Sequence, residues 1–512
     1  MKINRKKNAV HGTIFGIILK LIQIAFPFVI RTVFIHTLGA KYLGLNSLFT
    51  AILQVLNLAE LGVGSALVFS MYRPIVDDDS EKICQLMSLY RLYYRVIGGI
   101  VLVVGLVLIP FLPNLIKGDV PPDINLYVLY MLHLAATVLS YWLFGYRNSL
   151  FAAHQRNDVV FIISIVTYLC MYLLQIGALI VFENYYIYLC LAVFTQIVIN
   201  LITAVFSKKY FPGYKPYGKL PKEERAEINR KVRDLFTAKM GAVINNSADS
   251  VVISSFLGLE LLAIYQNYYY IISAIMGIFK IFFAACTAGI GNSLIVKTKE
   301  QNKKLLYNIN HISFFAINYC CACFLCLCQP FIQVWVGSEY QLDFTFVILF
   351  ALYLFAEEAP RTLIVFKDAG GIWRHDRFRP LIAAAVNVVL NLVLTQFIGL
   401  YGIVISTIVS LLFVGYPWLI LNINKRLFEI DVKKYVFRIL TYVAVVAVSS
   451  GVSYLLCNLF SFTSHIVTLI VRLVIASVIS CSVFLLVYSR TDENKYVMHQ
   501  FVLLKKKITR KR

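Results

Sequence analysis

The residues in this sequence whose types and spacing could do chemistry are charged and amide side chains set inside long apolar runs. In the first run Lys20, Gln23, Pro27 and Arg31 follow one another at i, i+3, i+7 and i+11. At 100° per residue, Lys20 and Arg31 stand about 20° apart on one helical face, three turns from each other. A charge at the bilayer centre costs about 2.5–3.5 kcal/mol on insertion scales, so one that is kept there is a functional candidate. Two cations on one face are suited to holding an anion, and Pro27 can bend the stripe they form. The competing reading, snorkelling to opposite headgroups, fits Arg31 better than Lys20.

The seventh run repeats the theme. Lys239, Asn246 and Ser250 share a face, with Asn245 and Asp249 beside it. So many polar groups in mid-helix must face protein or water, as a network between helices or as a cavity wall. Lys280, deep in the eighth run, adds another cation, and Glu60, one turn after Asn57 in the second run, could neutralise one of them. Glu357, Glu358 and Arg361 sit at i, i+1 and i+4, so Arg361 can pair with either acid inside its own helix or serve a cavity. Asn387 and Asn391, one turn apart, are suited to interhelical hydrogen bonds. No Walker A loop, HExxH, DxDxDG or GxSxG pattern accompanies these residues, and the eight histidines are scattered, His133 reading as a packed polar group. Cys323 and Cys326 form a CxxC inside an apolar helix, where free cysteine packs as a small hydrophobe. The expectation is a non-enzymatic protein with no metal and no cofactor.

Positioning such residues takes a membrane scaffold. The 512 residues are 60% hydrophobic and 14% charged, with mean hydropathy +0.76, against about 45–50% apolar and 25% charged for a soluble domain. The apolar residues fall in blocks long enough to cross about 30 Å of hydrocarbon. About fourteen transmembrane helices are expected, at 10–38, 43–70, 86–113, 124–151, 158–182, 185–207, 236–258, 262–296, 308–336, 344–367, 380–397, 401–423, 436–458 and 465–489. The first is a retained helix, since its apolar stretch is too long for a signal peptide and carries Lys20 and Arg31.

Basic residues alternate from loop to loop. Arg73 and Lys82, Arg147 and Arg156, Lys297 to Lys304, Lys367 to Arg379, Lys425 to Lys434 and the tail from Lys505 to Arg512 fall on one side. The opposite loops hold Lys41 and Lys117 beside acids such as Asp119, Asp123, Glu183, Glu260, Glu339 and Asp343. That asymmetry puts both termini in the cytoplasm. It also assigns the net charge of +22 to loops touching anionic lipid rather than to nucleic acid. The basic segment 208–235 reads as a cytoplasmic linker lying on anionic lipid, between a bundle at 1–207 and one at 236–425, with helices 13 and 14 and the tail at 426–512. An internal repeat supports the halving: Leu38-Gly39 closes the first helix of one half and Leu257-Gly258 the first of the other, with six helices between, which keeps the halves parallel.

With its fourteen helices, its six-plus-six repeat and its cationic first and seventh helices, the chain resembles the polysaccharide flippases. These are the O-antigen, capsule and teichoic-acid exporters of the multidrug/oligosaccharidyl-lipid/polysaccharide exporter superfamily, which also holds the MATE drug exporters. Local signals are Thr13-Ile14-Phe15-Gly16, Leu38-Gly39 with Tyr42-Leu43-Gly44-Leu45, Leu61-Gly62-Val63-Gly64, and Asp249 to Ser254 before Phe256-Leu257-Gly258. The resemblance implies an all-α fold of two six-helix bundles in a V plus two C-terminal helices. It also implies transport of undecaprenyl-diphosphate-linked oligosaccharide across the bacterial plasma membrane, for surface polysaccharide synthesis. A diphosphate needs cations before it can enter a low-dielectric cavity. Lys20, Arg31, Lys239, Lys280 and Arg361 are the candidates, with Gln23, Asn245 and Asn246 as polar groups and Glu60 and Asp249 for any coupled proton or sodium ion. Partners are the lipid-linked oligosaccharide, anionic lipids and other polysaccharide-assembly membrane proteins. A MATE-type drug antiporter would need unpaired buried acids instead, and a membrane polymerase or transferase a large outer loop.

Overall fold

The computed structural model describes residues 5–60, 62–460, 462 and 464–499, without the side chains of residues 5–10, Ala59, Ala238, Asn246 and Arg374. Leu61 and the basic tail from Lys505 lie outside the described residues. Every regular element among the described residues is a helix, which satisfies its own backbone N–H and C=O groups in hydrocarbon. By contacts the chain forms two compact units, Met1–Ala263 and Ile264–Arg512. The first holds α1 (Arg5–Thr37), α2 (Ala40–Leu56), α3 (Val63–Val76), α4 (Ser80–Leu108), α5 (Leu126–Trp142), α6 (Asn148–Ala153), α7 (Asn157–Phe182), α8 (Tyr185–Tyr210), α9 (Lys222–Phe256) and the first turn of α10 (Leu259–Val296). The second holds the rest of α10 with α11 (Lys299–Trp335), α12 (Phe344–Glu358), α13 (Arg361–Ala369), α14 (Trp373–Asp376), α15 (Arg379–Ile398), α16 (Leu400–Val409), α17 (Tyr416–Arg426), α18 (Val432–Asn458) and α19 (His465–Tyr488).

Among the described residues ten helices are long and apolar enough to cross a membrane, and α5 with residues 145–153, bent by 46°, makes an eleventh. This is a multi-pass membrane protein. The three remaining expected spans fail a single-run criterion for visible reasons. The second is broken by a 3₁₀ turn at Asn57–Glu60 between α2 and α3, and the tenth is broken before Arg361, at Pro360. The seventh, in the C-terminal part of α9, carries Lys239, Asn245, Asn246 and Asp249 within the expected span, which lowers its mean hydropathy. Outward faces carry large apolar side chains such as Val181, Phe397 and Leu486, normal contacts in a bilayer and a liability in water.

Several helix starts are fixed by side-chain caps. Asn125 accepts from Tyr127 N and Val128 N, and Asn184 from Tyr186 N and Ile187 N. Thr298 and Gln301 form a capping box on α11. In the first unit α1 lies along α7, α4 packs on α3 and α5, and α8 packs on α5 and α7. Although α9 follows the linker, it packs on α2 and α3. Ser247 Oγ donates to Gln54 Oε1 at 3.2 Å, Ser254 Oγ to Leu115 O at 2.6 Å, and Lys117 N to Ser254 O at 2.9 Å. Contacts therefore divide the chain after Ala263, whereas the polar linker draws the eye to 208–235. In the second unit α18 and α19 pack on α11, tied by Asn318 Nδ2 to Ser480 O at 3.0 Å and by a hydrogen bond between Ser449 and Asn318. Cys326 packs with Cys457 and Ala476 in the same three-helix seam.

The internal repeat has a backbone counterpart. Gly39 and Gly258 adopt φ of 96° and 99°, left-handed values that glycine alone reaches without strain. Leu38 and Gly39 both donate to Phe34 O, and Leu257 and Gly258 both donate to Ile253 O. The first helix of each half is thus terminated by the same chain reversal.

Candidate functional site

In the first unit, Lys20 is exposed within the apolar span of α1, while Gln23 and Arg31 are half-buried. Among the described residues no carboxylate lies within ion-pair distance of Lys20. Phe26 stacks on Tyr172 with centroids 5.3 Å apart, fixing α1 against α7 between the two cations. Arg31 is within electrostatic reach of Tyr188 on α8. On α9 Lys239 is exposed and also lacks a carboxylate partner among the described residues. Asn245 is half-buried, and its Oδ1 is shut off from solvent without a hydrogen-bond partner. Asp249 and Ser250 are buried. The side chain of Asn246 lies outside the described residues.

Glu60 occupies the 3₁₀ break in the second span. Tyr94 OH donates to its Oε1 at 2.5 Å and Tyr141 OH to its Oε2 at 3.1 Å, with Asn57 Oδ1 2.8 Å from the same Tyr141 hydroxyl. Tyr90 OH donates to Tyr94 OH at 3.1 Å behind it. Rather than a lysine or arginine, the carboxylate has phenols as its partners. Neutral donors bond a carboxylate without cancelling its charge. The sequence reading missed Tyr90, Tyr94 and Tyr141. The one local signal was a pair of tyrosines at i, i+4 in the third apolar run.

In the second unit Lys280 is exposed on α10, and its field reaches Glu358. Arg361 grips that carboxylate with two bonds, Nε to Oε2 at 2.9 Å and Nη2 to Oε1 at 2.8 Å, and touches Glu357 Oε1 at 3.4 Å. The Glu358 side chain is fully buried and that of Arg361 is 12% exposed, so the pair staples α12 to α13 across the break at Pro360. Asn387 Nδ2 donates to Thr407 Oγ1 at 2.9 Å and Asn391 Nδ2 to Asn387 Oδ1 at 3.2 Å, joining α15 to α16. His133 is packed on Phe49, with Nε2 3.4 Å from Tyr185 OH.

Among the described residues the first unit thus provides exposed lysines without a carboxylate partner on α1 and α9, a half-buried arginine on α1 and a carboxylate whose donors are phenols; the second unit provides an exposed lysine on α10. Exposed ammonium groups of this kind can accept an anion, and Glu60 can accept a cation.

A family model described as polysaccharide biosynthesis protein matches residues 9–288. No curated protein matches the chain by sequence. Among solved structures, the lipid II flippase MurJ in an inward closed conformation is 14% identical, covers 94% of this chain and 99% of its own, and has a TM-score of 0.66. An inward-facing multidrug resistance MATE family transporter of the MOP superfamily is 14% identical, with coverage of 81% and 98% and a TM-score of 0.59. A MATE transporter of Vibrio cholerae is 16% identical, with coverage of 81% and 95% and a TM-score of 0.54. At these identities the likeness is one of fold.

Proposed function

This chain belongs to the polysaccharide biosynthesis protein family, and on that basis we propose that it flips an undecaprenyl-diphosphate-linked oligosaccharide from the cytoplasmic to the outer leaflet of a bacterial plasma membrane. The substrate passes by alternating access through a cationic cavity, and both termini are cytoplasmic. The observation that carries the reading is the contrast among its cations. Lys20, Lys239 and Lys280 are exposed without a carboxylate at ion-pair distance among the described residues, whereas Arg361 is neutralised by two. An unpaired ammonium on a membrane helix is costly unless water or an anion meets it.

A diphosphate brings about two negative charges. An inside-negative potential favours moving it outward by roughly 2.3 kcal/mol per charge per 100 mV, or about 5 kcal/mol in all. Arg31 offers planar bidentate contact to phosphate. Arg361, paired with both Glu357 and Glu358, joins α12 to α13 and is left out of the substrate set. Gln23, Asn245 and Asn246 offer amides to sugar hydroxyls. Anionic lipids flank the linker, other polysaccharide-assembly membrane proteins supply and receive the glycan, and Glu60 or Asp249 takes any exchanged proton or sodium ion.

The test is reconstitution in vesicles with a labelled lipid-linked oligosaccharide, comparing the parent with Lys20→Ala, Arg31→Ala, Lys239→Ala and Lys280→Ala. Transport should fall while insertion and thermal stability hold. Normal flipping by the single variants and by their combination would refute the assignment. Glu60 favours a second reading, a MATE-type cation-coupled drug antiporter, because among the described residues its carboxylate has no lysine or arginine at ion-pair distance. Efflux of a lipophilic cation from the same vesicles, with no movement of the anionic lipid, would establish it.

A further inference from the structure

The first unit contains a cleft of about 400 Å³ between α4 and the end of the linker. Arg91 and Arg95, one turn apart on α4, form one wall, and Lys219, Lys222 and Arg225 form the other. No carboxylate lines it, and none of the five cations has an ion pair among the described residues. This is not the habit of the surrounding surface. In an adjacent cleft of about 480 Å³ lined by α3, α4 and α9, cations are answered by acids: Arg73 by Asp77 at 2.6 Å, Lys82 by Glu224 at 2.9 Å and Lys231 by Glu227 at 2.7 Å.

The five charges are held together by packing rather than by their own attraction. Gly218, at φ +78°, presses the linker onto α4 so closely that a Cβ there would come within 2.9 Å of Gln85 Cγ. Tyr93 OH donates to Asn229 Oδ1 at 2.5 Å, and the Lys82–Glu224 bridge crosses from α4 to α9 beside it. Like charges fixed side by side without counter-ions form a site waiting for a multivalent anion. Its depth says which kind. The candidate span Ser80–Leu115 is 36 residues long, whereas about 20 residues cross ~30 Å of hydrocarbon; counted back from Leu115, that leaves Arg91 and Arg95 just before the crossing portion, at the level of the headgroups.

We propose that this cleft is the docking site for the diphosphate headgroup of the lipid-linked substrate in the leaflet from which it is collected, an inference that rests on the flippase reading above. Five cations suit a headgroup carrying two or more charges, whereas a single phosphodiester would leave most of them unanswered. Arg91 and Arg95 meet the phosphates from the membrane side, and the lysines of the linker close over them from the water.

The test uses the full-length protein in detergent. Trp142, whose Nε1 donates to Arg95 O at 3.2 Å, serves as a fluorescent reporter. Undecaprenyl diphosphate, dioleoyl phosphatidylglycerol and inorganic pyrophosphate are titrated in turn, at several salt concentrations. The parent should bind the diphosphate lipid at least tenfold more tightly than either comparator. R91Q/R95Q and K219Q/K222Q/R225Q should each weaken it, and the five-site variant should lose tenfold or more and flatten the salt dependence, with melting temperature and elution unchanged. In the vesicle assay the five-site variant should raise the KM for lipid-linked oligosaccharide while kcat holds. Equal binding of phosphatidylglycerol overturns the diphosphate assignment, equal binding of pyrophosphate overturns the lipid, and unchanged affinity in a folded five-site variant overturns the site. If docking behaves as stated and no oligosaccharide crosses, the flippase reading fails and the docking site stands. Flipping with an unaltered KM in the five-site variant does the reverse.

Discussion

Replacing Arg361 by alanine separates a structural cation from a transporting one. The Glu358 side chain is 0% exposed and Arg361 holds it with bonds of 2.8 and 2.9 Å. Removing one partner of a buried pair leaves an uncompensated charge and costs about 3–5 kcal/mol. Lys280, whose field reaches Glu358, offsets part of this, so about 3 kcal/mol is expected. For a unit of this size that lowers the unfolding midpoint by on the order of 10 °C. Arg361→Lys keeps the charge but gives up the fork and should lose roughly half as much. Pairing Arg361→Met with Glu358→Leu removes both charges from the break and should recover most of the loss, because apolar isosteres pack where the ion pair did. Thermal unfolding of the purified protein in detergent, followed by intrinsic fluorescence, reads all four proteins. An Arg361→Ala protein with an unaltered midpoint would refute the reasoning. Loss of flipping in that protein would then place Arg361 among the transporting cations.

Tyr94→Phe removes the shorter of the two phenolic bonds to Glu60 and should destabilise by about 1.5–3 kcal/mol, the range for bonds to charged groups. Tyr141→Phe, whose hydroxyl is shared with Asn57, should cost less, and denaturation showing the reverse order would contradict the geometry. Gly39→Ala should cost about 1–2 kcal/mol from left-handed strain alone, since nothing lies within 4 Å of the added Cβ. Gly258→Ala should cost more, because there the Cβ meets Lys117 O at 3.2 Å. His154, in the turn between α6 and α7, is half-buried against Phe211 at 4.4 Å between ring centroids, and the partial loss of hydration holds its pKa below the usual 6.5. The unfolded chain therefore binds the proton more readily. The stability that His154 contributes is complete above pH 6.5 and drains as pH falls toward its folded value; unfolding midpoints measured from pH 7.5 to 5 should show a decline that His154→Phe reduces.

The helices were legible because a bilayer demands apolar blocks of fixed length, and the loop charges because they alternate in sign of exposure. The pairing of Arg361 with Glu357 and Glu358 could be read from spacing alone, since i,i+3 and i,i+4 neighbours meet on any helix. The amide ladder from Asn391 through Asn387 to Thr407 was half legible: the turn between the asparagines is local, the threonine is not. The breaks in the second and tenth spans were hidden because hydropathy runs through them. The tyrosines around Glu60 could not be found from spacing. Tyr94 and Tyr141 lie 34 and 81 residues away from it in sequence, and it takes the packing of α4 against α5 and the 3₁₀ break to bring them together. The sequence reading passed over Arg91 and Arg95, although two cations open the third apolar run there. That the linker folds back onto them depends on Gly218, one glycine whose φ no composition reveals.

Cations on a transport route face two opposite requirements. They must be strong enough to take a diphosphate from water and weak enough to release it. The first unit meets these with number in one place and sparseness in another. At the linker cleft, five charges stand where water and salt screen each over about 8 Å. There, many weak attractions are needed to hold one anion, and their strength falls with ionic strength. Inside the membrane span the dielectric is lower and each attraction several times larger, so on the flippase reading proposed above Lys20 and Arg31 would do alone what five residues do at the surface. Five unpaired cations at the depth of Lys20 would bind the anion too tightly to let it go, and would cost the folded protein their full desolvation in its absence. The chain instead neutralises the deep guanidinium it does not spare for substrate, Arg361, and leaves single lysines open along the helices. On the proposed reading, a carrier of multivalent anions requires fewer open cations inside the membrane than at its surface, whereas a protein that only anchored anionic lipid would need the cleft without Lys20.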